Sequence, residues 1–177
     1  MQSEEKAGAR GFLVRNNFTH YVLFAGLAGG LAEFVWILGY SVAVGADGWQ
    51  VARAVAEAVV PVGAAWLATP ALGIAIHFLL SILLAGAFIA VLAPLRLRNA
   101  GVTVAISLMA LATVWAVNFL VILPVIHPAF VQLLPYPVTF LSKLLFGLAM
   151  GWTLAAARSP PIHPVANTPM VFPAARI

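Results

Sequence analysis

The sequence predicts an all-α integral membrane protein: a bundle of four transmembrane helices, with a short amphipathic outer-surface helix between the first and second spans. Three observations carry that expectation. Four apolar runs, about 21–44, 72–95, 102–126 and 138–157, are each interrupted by a single strongly polar residue, namely Glu33, His77, Asn118 and Lys143. Each run has about 20 to 25 residues, which at roughly 1.5 Å per residue crosses a hydrocarbon core of about 30 Å. The composition, 63% hydrophobic and 8% charged with a mean hydropathy of +1.05, leaves too little polar surface to clothe a soluble domain of 177 residues.

Residues 1–20 form an N-terminal segment with Lys6, Arg10 and Arg15. Arg96 and Arg98 fall in the second connection, Arg158 and Arg176 follow the fourth span, and the other two connections hold only Arg53. Cations concentrated on one side place both termini in the cytoplasm and the protein in the cytoplasmic (inner) membrane. Nine Lys and Arg stand against five Asp and Glu, but apart from Lys143 the cations lie outside the four runs and form no patch, so topology accounts for them and nucleic acid is not an expected partner. Ala43-Val44-Gly45 has the small-x-small pattern of a signal-peptide cleavage site. The apolar stretch before it is too long for a signal core and contains Glu33, so the first span is expected to be retained.

In the first connection, Asp47 followed by Gln50 resembles a capping box. Gln50, Arg53 and Glu57 share one helical face while Ala52, Val55, Ala56, Val59 and Val60 take the others. A helix from Trp49 to Val60 is expected on the outer surface, with Arg53 and Glu57 as an i,i+4 pair, Pro61 as its end, and Trp49 and Trp66 as headgroup anchors. It reads as a cover over the bundle. Between the third and fourth spans, Pro124, Pro128, Pro135 and Pro137 predict a rigid loop without regular structure. The tail, 158–177, carries Pro160, Pro161, Pro164, Pro169 and Pro173 and is expected to be cytoplasmic and polyproline-like or disordered.

Within the spans, Gly26 and Gly30 form a Gly-x-x-x-Gly with Glu33 one turn on, and Gly147 and Gly151 form another with Lys143 one turn before it. Such small-residue faces are expected to bring the first and fourth spans together, with Glu33 opposite Lys143 just beyond the contact. Counting at 1.5 Å per residue from the cytoplasmic ends places Glu33 at about 18 Å, Lys143 at about 21 Å, Asn118 at about 24 Å and His77 at about 27 Å. The four residues would thus make one buried polar layer, a structural ion pair or an ion or proton site, with His127 at its mouth. Ser81, one turn from His77, is a weak candidate for nucleophilic chemistry.

Without cysteine, the chain has no disulfide, thiolate metal site, iron–sulfur ligation or covalent haem attachment. No metal site is expected, because the spans hold neither a Glu-x-x-His pair nor further carboxylates. No phosphate-binding loop, dinucleotide fingerprint, zinc-protease motif or nucleophile elbow occurs, so no enzymatic activity is expected. The leading expectation is a non-catalytic accessory subunit of a larger, possibly energy-transducing membrane complex. Its partners would be the lipid bilayer and other membrane subunits or further copies of itself. A small carrier or channel for protons, ions or a small solute through the polar layer is the alternative. A quinone- or haem-binding redox module comes third. Four spans without a broken helix are few for a self-contained transporter.

Overall fold

The computed structural model describes residues 2–95 and 99–158, with side chains from Phe18 to Ala157 apart from Val62, Pro94 and the gap at 96–98. The cations Arg96 and Arg98 and the proline-rich tail from Ser159 lie outside the described residues. Every described element is helical: α1 (Gln2–Ala43), α2 (Gly48–Glu57), a 3-10 helix (Val62–Leu67), α3 (Pro70–Leu92), a second 3-10 helix (Ala93–Leu95), α4 (Ala100–Val117), a π-helical segment (Asn118–Ile122), α5 (Leu123–Ile126), α6 (Pro128–Leu133) and α7 (Tyr136–Arg158). Four stretches, Phe18–Ala43, Pro70–Leu92, Ala100–Ile126 and Tyr136–Ala157, are long and apolar enough to cross a membrane.

Local chemistry sets the boundaries. At Gly45, with φ +69°, α1 ends in a Schellman arrangement in which Ala46 N donates to Ser41 O at 2.8 Å and Gly45 N to Val42 O at 3.3 Å. Asp47 then caps α2, its Oδ1 accepting from Trp49 N at 2.9 Å. The predicted capping box does not form: the Asp47 side chain takes the amide of Trp49, and Gln50 meets Asp47 only through its backbone, N to O at 3.1 Å. Thr69 caps α3 through Leu72 N and Asn99 caps α4 through Val102 N.

The connection between α4 and α7 overturns the expectation of a loop without regular structure. Its prolines do not break helices, and two of them begin one. Pro124 lies in the first turn of α5, Pro128 opens α6 and Pro137 is the second residue of α7. At Pro128 and Pro137 the missing N–H has no intrahelical partner to lose and the fixed φ suits the helix, whereas Pro124 stands inside the continuous helical run 100–126. Pro124 also accounts for the π segment. Its ring would press on the carbonyl four residues back, and the chain widens its hydrogen bonding just before it, Leu123 N reaching Asn118 O. The third long helix therefore runs unbroken from Ala100 to Ile126 but carries one π turn ahead of Pro124.

In the helix packing, α1 and α7 form the central pair, with α3 on the other side of α1 and α4 on the other side of α7. A helix between two neighbours needs small residues on two faces, and this corrects the predicted role of the Gly-x-x-x-Gly pairs. Gly26 and Gly30 face α3, where an added Cβ would lie 2.6 Å from Ile82 Cα and 2.7 Å from Ser81 Oγ. Likewise Gly147 and Gly151 face α4, where added Cβ atoms would meet Ser107 O at 3.0 Å and Ser107 Oγ at 2.8 Å. Each glycine groove thus receives one serine from the flanking helix. Between α1 and α7 the small residue is Gly29, whose Cβ would fall 2.6 Å from the ring of Phe146. Phe146, Leu111 and Met150 are the largest fully buried apolar side chains and centre the core.

Candidate functional site

Because Gly29 and Glu33 are four residues apart on α1, and Lys143 and Phe146 three apart on α7, each pair shares a face turned to the other helix. Lys143 Nζ donates to Glu33 Oε2 at 2.7 Å, with side-chain exposures of 15% and 12%. The ammonium also lies 5.7 Å from the Phe146 ring centroid, within cation–π range. Ser142 Oγ lies 3.2 Å from Glu33 Oε1 and donates at 2.7 Å to Thr139 O. Two indoles pin the start of α7: Trp36 Nε1 donates to Val138 O and Trp115 Nε1 to Thr139 Oγ1, both at 3.0 Å.

His77 approaches α1 where Gly30 has no side chain, and its Nε2 donates to Gly30 O at 3.0 Å. A carbonyl can only accept, so this bond fixes the proton on Nε2 and leaves Nδ1 as an acceptor in the neutral ring.

Above Glu33 and His77 lies a half-open cavity of about 330 Å³. Its roof is α2, which contributes Val51, Ala52 and Val55; Phe34, Phe119 and Phe130 form apolar walls; and Glu33, His77, Thr139 and Ser142 supply polar atoms at depth. The exposed lining residues are Leu38, Val42, Ala46, Asp47 and Trp49, so the cavity opens where α1 passes into α2. The roof is held down at one point of very close approach: a Cβ on Gly73 of α3 would fall 1.7 Å from Ala52 O.

The predicted four-residue layer is only partly assembled. Glu33, Lys143 and His77 converge, with Lys143 behind the carboxylate and not in the lining. Asn118 is not among the lining residues and its side chain bonds no other described residue; it opens the π segment, whose next residue, Phe119, reaches the cavity. His127 does not line the cavity mouth. Its Nδ1 accepts from Phe130 N at 3.0 Å, capping α6, and its Nε2 lies 3.5 Å from Glu57 Oε2. That contact replaces the expected Arg53–Glu57 pair, in which the cation N-terminal to the anion is the weaker order on a helix. Ser81 bonds its own helix, Oγ to His77 O at 2.8 Å, and has no catalytic geometry.

Sequence reasoning missed Ser142, Thr139, Asp47 and the phenylalanine walls as parts of one site. Only Ser142, adjacent to Lys143, and Gly29, four residues before Glu33, carried a usable signal. Comparison with family models, curated proteins and solved structures found no match to this chain.

Proposed function

We propose that this chain is an integral protein of the cytoplasmic membrane, with both termini in the cytoplasm, that admits a small solute from the opposite face into the α2-roofed cavity and onto the Glu33–Lys143 pair. The observation that carries this is the cavity itself, which joins an exposed rim to the carboxylate of a largely buried acid–base pair. Structural ion pairs need no access, and one at the end of a passage is placed to meet a ligand. At about 330 Å³ the space sits at the small end of ligand sites, which run roughly 300–1,000 Å³. The packed core around Phe146 and Met150 lies beyond the pair, so the site is reached from one side and a transport cycle requires α1 and α7 to part there. The π segment beside Phe119 supplies a deformable element next to the cavity.

A thermal-shift screen of small water-soluble solutes on the detergent-solubilised protein tests this. Solutes that raise Tm in the native chain should lose that effect in Val55→Trp, which fills the cavity from its roof. If every stabilising solute acts equally on both proteins, the cavity is not the binding site.

The accessory-subunit function draws support from a different surface. Val59, Trp66 and Leu67, 61%, 79% and 42% exposed, follow α2 outside the four long helices, where a headgroup layer or a neighbouring subunit would cover them. A stoichiometric partner recovered in mild detergent would favour it. A haem module has less support, since His77 and His127 are engaged separately by Gly30 O and by the α6 cap.

A further inference from the structure

The chemical class of the solute follows from which hydrogen-bonding capacity the lining leaves open, an inference that rests on the cavity being a solute site. The side-chain donors at depth are already committed. The hydroxyl protons of Ser41, Thr139 and Ser142 go to the carbonyls of Ile37, Tyr136 and Thr139, and His77 Nε2–H goes to Gly30 O. Unused acceptors remain: lone pairs of the Glu33 carboxylate, His77 Nδ1 in the neutral ring and the second oxygen of Asp47, whose Oδ1 holds Trp49 N. The one uncommitted side-chain donor in the lining is the Trp49 indole N–H at the exposed rim.

Charge points the same way. Among the described residues, neither lysine nor arginine lines the cavity, while two carboxylates do. Taking Glu33 and Asp47 with the Lys143 behind them, the sum is −1 −1 +1 = −1, which one monocation neutralises. The rings of Phe34, Trp49, Phe119 and Phe130 add π faces that attract a cation and an apolar surface for its body. An anion would find, among the described side chains of the lining, only the Trp49 indole N–H at the rim as a free donor.

We propose that the cavity binds a small organic cation, a protonated primary or secondary amine on a compact apolar body, whose N–H groups are received at depth by Glu33 and His77 Nδ1 while Asp47 at the rim adds a second negative charge. Entry past Asp47 and Trp49 brings the ammonium to the carboxylate whose only cationic partner is otherwise Lys143.

Calorimetric titration of the full chain in matched micelles tests this with three probes that share one body: cyclohexylammonium, cyclohexanol and cyclohexanecarboxylate. The amine should bind at least about tenfold more tightly than the other two. Asp47→Asn, which keeps a competent helix cap and removes one charge, should weaken the amine about three- to tenfold without lowering Tm. Val55→Trp should abolish binding. If the alcohol or the acid binds as tightly as the amine, the cation assignment is wrong while the cavity remains a solute site. Binding that survives Val55→Trp, or no binding of any probe, overturns both.

Discussion

Lys143→Met alone should lower the unfolding free energy by about 3–5 kcal/mol, the size of the effect when one member of a buried pair is removed. The Glu33 carboxylate, 12% exposed, would keep only the 3.2 Å contact with Ser142, whose proton is directed at Thr139 O. It then has to take up a proton, draw in water or force α1 and α7 apart. Replacing both residues, Glu33→Met with Lys143→Met, removes the stranded charge along with its partner, and such exchanges are often neutral or stabilising. The double variant should therefore recover most of the loss, a non-additivity readable in a denaturation series in one detergent. Equal losses for single and double variants would mean that the two groups are not coupled. The Phe146 contact works in the same direction, since methionine keeps some of the packing that the lysine stem provides.

Gly73→Leu should detach the roof. An added Cβ at this position would fall 1.7 Å from Ala52 O and 2.7 Å from Ala52 C, both backbone atoms that no rotamer change can move. The whole of α2 must shift from α3, at a cost of about 1–3 kcal/mol or more by the usual scale of overpacking. Because α2 packs on α3 more than on any other element, the loss should be local. Hydrogen exchange should rise across 48–57 while the amides of α4 and α7 keep their protection. Gly39→Ala is the matched control, because its Cβ would meet nothing within 4 Å and alanine favours the helix. Loss of protection spread over all the long helices would show that α2 is part of the core and not a cover.

The four long helices were legible because each apolar run is broken by so little, and for the same reason Glu33 and Lys143 stood out as groups that need a partner. Depth counted along antiparallel helices places them opposite each other from the sequence alone. Which helices the glycine faces would meet was not legible. On a helix, residues three and four apart are both neighbours, so Glu33 can be grouped with Gly30 or with Gly29. The packing order, with α1 between α3 and α7, decides for Gly29. The prolines of the α5–α6 region misled because the same residue that stops a helix interior also starts a first turn. The cavity was hidden for another reason: it depends on α2 folding back over α3, and the only mark of that approach was the single glycine at 73.

Placing one cysteine in this cysteine-free chain tests the central claim most directly. Ser142→Cys puts a thiol beside the Glu33 carboxylate, and Ser107→Cys puts one in the closed contact between α4 and α7. In sealed vesicles of known orientation, a membrane-impermeant aminoethyl methanethiosulfonate should modify the thiol at 142 from the side that carries α2 and not from the other. It should leave the thiol at 107 unreacted from either side. Equal reaction of both thiols, or modification at 142 only from the side opposite α2, would contradict a one-sided passage to the Glu33–Lys143 pair.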